Sequence, residues 1–193
     1  MSRKLAPLQV LLALALAATA AGQAAVPRHL HREASTPGMV LLIRHAERAS
    51  AAADSLLSAA GEQRAACLAQ ALRDAGVGAI FATDIQRTQQ TAAPLAHLLH
   101  LETTVVPKAD LDGLLKALGT RRGEVALVVG HTDTIPRLVE GLGGGAITPF
   151  GDDEFDRLIL VPTTGAKGAR AVTLRYCTAG ATPAASAAPA AGH

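Results

Sequence analysis

Residues 39–50 read MVLLIRHAERAS: five apolar residues in succession, then an arginine, a histidine, a glutamate and a second arginine. An apolar run without polar alternation is the pattern of a strand covered on both faces, as in a parallel sheet flanked by helices. Unpaired charge is costly inside such a core, so Arg44, His45, Glu47 and Arg48 are expected where the strand leaves it. In an open α/β sheet, the rim beyond the carboxyl ends of the strands is where ligands bind.

The pattern recurs along the chain. EVALVVG at 124–130 is a second apolar strand, and it too runs into a histidine, His131. GAIFAT (78–83), TTVV (103–106), RLILVP (157–162) and ARAVTLRYC (169–177) read as further strands, with a Gly-Ala-Lys-Gly turn between the last two. Ser58 can cap a helix whose apolar positions Ala65, Leu68, Leu72 and Ala75 keep helical spacing and which Gly76 ends. A second helix is expected from 84 to 100, with Ile85, Thr88, Ala92, Leu95 and Leu99 on one stripe. A third follows Asp110 as cap, carries Leu111, Leu114, Leu115 and Leu118, and stops at Gly119. A fourth runs over 132–140, with Pro136 tolerated near its first turn. This alternation predicts a three-layer α/β/α sandwich around a largely parallel central sheet.

The two ends of the 193-residue chain read differently from its middle. Arg3 and Lys4, the short apolar stretch LLALALAATA and the small residues at 20–25 have the three-part pattern of a secretory signal over 1–25. A flexible segment is expected at 26–35, the domain at 36–177, and an Ala/Pro-rich disordered tail at 178–193. The working protein is thus expected to be exported, periplasmic or secreted, with no stable membrane span after signal cleavage. Cys67 and Cys177 leave two readings open, a bridge formed in an oxidising compartment or two buried thiols. The formal charge of +2 is dispersed, and with no Trp, one Tyr and three Phe there is no basic, aromatic stripe for nucleic acid. HExxH, paired CxxC, G-x-S-x-G and P-loop motifs are all missing, so neither a metal centre nor a serine or nucleotide site is expected.

If the strands ending in Arg44-His45 and Gly130-His131 are neighbours, and the helix bearing Arg87 starts beside them, two arginines and two imidazoles converge on one volume. That volume suits a dianion. LIRHAE, FATDIQRTQQTA and VVGHTDTIP, in this order across about 40–140, resemble the histidine phosphatase superfamily, whose branch also contains the cofactor-dependent phosphoglycerate mutases. The segment DSLLSAAGEQRA resembles that family's approach to its first long helix. The resemblance implies a phosphoglycerate mutase-like fold, His45 as nucleophile, and Arg44, Arg87 and His131 as phosphoryl-binding groups, without cofactor. Arg48 is either a further phosphate-binding group or the partner of Glu47.

The family's general acid has no clear counterpart. The residue after His131 is Thr132, and the aspartate comes one later, at Asp133, which is either a catalytic acid or a helix cap. Glu102, Asp110, Asp112 and Glu124 lie between the motifs as other candidates. The expected activity is hydrolysis of a small phosphorylated substrate, with a phosphohistidine protein as another substrate class. The alternatives are a non-catalytic phospho-ligand-binding protein and a phosphomutase, the latter disfavoured by loops too short for a lid.

Overall fold

The computed structural model describes residues 38–121, 123–163 and 170–177. The expected secretory signal, the segment after it, the Gly-Ala-Lys-Gly turn and the Ala/Pro-rich tail lie outside the described residues. The elements are β1 (Met39–Arg44), α1 (Ala59–Leu72), β2 (Val77–Thr83), α2 (Gln86–Leu99) and β3 (Thr103–Val106), followed by α3 (Leu111–Thr120), β4 (Val125–Gly130), α4 (Thr134–Gly141), β5 (Arg157–Pro162) and β6 (Val172–Arg175).

The strands form one six-stranded sheet in the order β3-β2-β4-β1-β5-β6. β3, β2, β4 and β1 are parallel, whereas β5 pairs antiparallel with β1 and β6 antiparallel with β5. The apolar run of β1 is explained by cover on both sides. Leu41 and Ile43 pack with Leu68 of α1 and Leu95 of α2, while Val40 and Leu42 pack with Leu114 of α3 and Leu138 of α4. The result is the expected three-layer sandwich, with α1 and α2 on one face and α3 and α4 on the other. Truncating Leu42, which is fully buried, would cost about 2–5 kcal/mol by loss of transfer energy and creation of a cavity.

Register places the functional rim. Arg44 is level with Gly130, and Ala82 with Val129, so β1, β4 and β2 end together. His45 continues the ladder by one step, its backbone N–H donating to Gly130 O at 2.9 Å. Ser58 caps α1 as expected, accepting from Gly61 N, and Asp110 caps α3, accepting from Gly113 N.

The glycine stops are less regular than expected. α1 ends at Leu72 and Gly76 instead makes the following turn at φ +70°; α3 passes through Gly119 to Thr120, because Arg121 N–H closes the last turn on Leu118 O. α4 begins two residues later than expected, at Thr134. Of the strand expected at 169–177, β6 covers Val172–Arg175, and the Tyr176 N–H carries the antiparallel pairing one step further by donating to Asp156 O at 2.9 Å. The cysteine question resolves as a Cys67–Cys177 disulfide, joining α1 to the residue two beyond β6 across a sequence separation of 110.

Gly61, in the first turn of α1, faces the backbone of Glu47: a Cβ there would lie 2.2 Å from Glu47 O. Alanine is worth about 1 kcal/mol in helix propensity, but overpacking against backbone costs about 1–3 kcal/mol. Gly61→Ala is therefore expected to lower unfolding free energy by about 1 kcal/mol and to slow turnover by displacing the His45 loop. Urea denaturation with parallel kinetics checks this; an unchanged or raised midpoint would show that the loop yields freely.

Candidate active site

The loop after β1 is held from three sides. His45 is 5 % exposed, and its Nδ1 lies 2.7 Å from Ala46 O. A carbonyl only accepts, so Nδ1 carries the proton and the Nε2 lone pair is free. Ala46 N donates to Thr91 Oγ1 at 3.0 Å, and the Thr91 hydroxyl donates to Arg87 O at 2.7 Å, which ties the loop to α2. Glu47 O accepts from Ser58 N at 2.9 Å, and the Glu47 carboxylate is gripped by Arg64 through Nε at 2.8 Å and Nη2 at 2.6 Å. Glu47 thus positions the loop through Arg64. The alternative expectation of an Arg48–Glu47 ion pair is not met. Arg48 is exposed, its nearest acceptor is Ala51 O at 3.4 Å, and it acts on the site through its charge.

The guanidiniums of Arg44 and Arg87 are anchored by one edge each. Arg44 Nη1 donates to Gly151 O, Asp152 O and Glu154 O at 3.0, 2.7 and 3.2 Å, and its Cζ lies 4.1 Å from the Phe155 ring centroid. Arg87 Nη1 donates to Ala53 O at 2.6 Å. The Nε–H groups of both are buried without a protein acceptor, so each residue keeps donor capacity for an anion.

His131 is buried beside His45, with ring centroids 5.3 Å apart in an edge-on arrangement. Its Nε2 lies 2.9 Å from Thr83 Oγ1 at the end of β2, and its backbone N–H donates to Thr134 Oγ1 at 2.9 Å. The sequence thus brings Arg44, His45, Arg87 and His131 to one rim. Burial, reinforced by Arg87, Arg44 and Arg48 against the opposing Ala46 bond, pushes the His45 imidazole down to about 4. Burial, then the charges of His45, Lys108 and Arg87, pushes His131 down to about 3. The arginines favour neutral imidazoles, but desolvation is the larger cause.

The acid candidates separate by topology. Glu102 precedes β3 and Glu124 precedes β4, so both lie at the amino end of the parallel strands, opposite His45. Asp110 is occupied in capping α3, where Asp112 sits in the first turn. Asp133 remains next to His131, and it does not cap α4; the Thr134 hydroxyl receives the His131 N–H instead. Its carboxylate meets Lys108 Nζ at 2.8 Å. Burial pulls its pKa upward, but the hydrogen bond and charge of Lys108 outweigh that and hold it below the usual carboxylate range. The expectation of Asp133 as proton donor therefore meets a charge problem: at neutral pH it carries no proton.

Lys108 escaped the sequence reading. It is placed beyond the carboxyl end of β3 by its own N–H, which donates to Asp84 Oδ1 at 2.9 Å. Among the described residues no three His, Cys, Asp or Glu side chains are grouped to hold a metal ion.

The arrangement is that of a three-layer α/β protein with a candidate anion site at its carboxyl rim. Residues 40–114 match the sequence model of the histidine phosphatase superfamily (branch 1), the same superfamily that the three motifs resemble. Similar solved structures include the protein histidine phosphatase SixA complexed with tungstate, 19% identical with a TM-score of 0.58, covering 72% of this chain and 95% of that one. A putative phosphohistidine phosphatase SixA from Nakamurella multipartitia is 23% identical with a TM-score of 0.54, covering 74% and 98%. A mycobacterial glucosyl-3-phosphoglycerate phosphatase is 12% identical with a TM-score of 0.55, covering 72% and 97%. No curated protein matches the chain. At these identities the structural likeness establishes the fold.

Proposed function

We propose that the protein is a phosphatase that works through a phosphohistidine on His45. The observation that carries this is the orientation of His45: Nδ1–H is committed to Ala46 O, leaving a neutral Nε2 as the nucleophile among the guanidiniums of Arg44 and Arg87. The Nε2 lone pair attacks phosphorus, and the bond to the leaving group breaks with its electron pair. Water then attacks the phosphoryl group, the P–N bond breaks, and the pair returns to Nε2. Arg44 and Arg87 offset the phosphoryl charge in both transfers, with His131 as a third donor.

With Asp133 ionised by Lys108, no preformed acid for the leaving atom is found among the described residues. The reading is therefore of substrates whose leaving group departs without one: aryl phosphates as probes, and N-phosphoryl imidazoles, whose distal nitrogen takes its proton from solvent. The similarity to phosphohistidine phosphatases supports a phosphohistidine protein as substrate. The signal-like amino terminus and the disulfide support an exported, periplasmic or secreted enzyme. Wild type is expected to prefer aryl and N-phosphoryl substrates over alkyl phosphates by about 100-fold, and Asp133→Asn to change alkyl rates by less than about threefold. A variant that loses alkyl phosphates but keeps aryl phosphates would identify Asp133 as the acid and overturn this reading of the leaving group.

The acid limb of kcat/KM follows from His45. Its pKa is lowered from 6.5 to about 4, so the nucleophile is neutral above that pH and is lost by protonation below it. An aryl phosphate titrated from acid to neutral pH should show a limb near 4; one near 6.5 would mean that the ring is solvated. Stability has the same sign. Both buried imidazoles are neutral, and their contribution is full above 6.5 and falls as pH drops toward 4 and 3.

A further inference from the structure

A count of hydroxyl protons fixes the state of the second histidine. Thr88 Oγ1 lies 2.6 Å from Ile85 O, 3.0 Å from Thr83 O and 2.9 Å from Thr83 Oγ1. The two carbonyls only accept, so the single Thr88 proton goes to them, and the Thr83–Thr88 contact is donated by Thr83. That uses the single Thr83 proton. The remaining contact, Thr83 Oγ1 to His131 Nε2 at 2.9 Å, must then be donated by His131. All three residues are buried, Thr88 completely, so water does not relax this order.

We propose, resting on the phosphatase reading above, that Thr88 acts through Thr83 as a positioning residue that commits His131 to the Nε2–H tautomer, so that the site takes up a proton on Nδ1 together with a phosphoryl dianion. Nδ1 is the ring nitrogen left over, and no protein group bonds it among the described residues. Unprotonated, it would turn a lone pair toward anionic oxygens; protonated, it is a charge-assisted donor. The groups acting on His131 agree with this balance. Burial first, then the charges of His45, Lys108 and Arg87, keep it neutral in the free protein, Asp133 opposes them, and an incoming dianion adds a negative charge that favours the protonated ring.

The tautomer thereby imposes a chemical condition on the substrate. At neutral pH the proton arrives either from solvent or on the substrate as its monoanion, since phosphomonoesters have a second pKa of about 6. kcat/KM should fall above that pH, and the fall should track the second pKa across aryl phosphates of different acidity. Thr88→Val frees the Thr83 proton to point at His131 Nε2, which permits the Nδ1–H tautomer and lets a neutral ring donate. Its alkaline limb should move up by more than about one pH unit, while Thr88→Ser retains the wild-type profile.

Two measurements on the full chain keep the idea testable if Thr88→Val folds poorly. Nitrogen-15 ring spectra of wild type should show His131 protonated at Nε2 alone, with Nδ1 gaining a proton when tungstate is added. Calorimetry of tungstate binding in buffers of different ionisation enthalpy should show uptake of about one proton, reduced in Thr88→Val. A wild-type His131 protonated at Nδ1 in the free protein, or an alkaline limb and proton uptake unchanged in a folded Thr88→Val, would overturn the proposal. Failure of the phosphatase reading is seen separately, as a wild type that hydrolyses no phosphomonoester or N-phosphoryl compound, and failure of its nucleophile assignment as turnover that survives His45→Ala.

Discussion

His45→Ala is expected to reduce phosphatase turnover by at least about a thousandfold, with the fold intact. The substitution removes the Nε2 lone pair, so no phosphoenzyme can form. Arg44, Arg87 and His131 remain and can support only slow direct attack by water. The loop should hold, because its anchors are not on the imidazole: His45 N still donates to Gly130 O, Ala46 N to Thr91 Oγ1, and Glu47 stays in the grip of Arg64. Acid quench of the wild type with labelled substrate should trap a phosphoryl group that is acid-labile and base-stable. Undiminished turnover by the variant removes His45 as nucleophile. A wild type that hydrolyses no phosphomonoester or N-phosphoryl compound, traps no label and yet binds tungstate would instead be a phospho-ligand-binding protein.

The parts of this site that were legible in the sequence are those that chain direction and burial impose. β1 and β4 announce themselves because strands covered on both faces are apolar throughout, and a polar residue directly after such a strand can only be at the rim. That reasoning placed His45 and His131, and the parallel register of β1 with β4 made them neighbours. The direction of β5 was less visible. RLILVP is as continuous as a parallel strand, and the shortness of the stretch from β5 to β6, too few residues for a helical crossover, was the available sign of an antiparallel pair.

What stayed hidden was held by backbone or by distant partners. Arg44 rests on the carbonyls of Gly151, Asp152 and Glu154, and a carbonyl leaves no trace in residue identity. Phe155 stacks on that guanidinium from more than a hundred residues away, with no local periodicity to mark it. Glu47 was weighed against its neighbour Arg48, but adjacent residues at a strand exit diverge, and its partner Arg64 comes from the second turn of α1. The role of Asp133 turned on Lys108, which no motif contains. The tautomer of His131 needed three oxygen positions at once, which the pattern T-D-I-Q-R-T encodes but does not display.

Reduction of the Cys67–Cys177 bridge should lower unfolding free energy by about 2–4 kcal/mol, or roughly 5–15 °C in melting temperature. The bridge spans a sequence separation of 110, so its removal restores much chain freedom to the unfolded state. The native state loses less. β6 is an edge strand of four exposed residues, still paired with β5 and followed by the buried Tyr176; Arg175 remains paired with Asp156 and Glu154. Cys177 itself sits at φ 49°, a left-handed conformation that favours glycine and costs a non-glycine residue about 1 kcal/mol, so freeing it gives back part of the loss. Its carbonyl is also the acceptor of Arg64 Nη1 at 3.0 Å, but the same arginine keeps its bidentate grip on Glu47. Turnover at 25 °C should therefore fall by less than about threefold while the melting temperature drops. Peptide mapping without reductant verifies the bridge, and thermal melts with kinetics, before and after reduction and for paired Cys67→Ser and Cys177→Ser, measure both effects. A melting temperature insensitive to reduction would mean that β5 pairing and the Arg175 ion pairs alone hold the last strand; a collapse of activity before melting would mean that Arg64 depends on Cys177 to position the nucleophile loop.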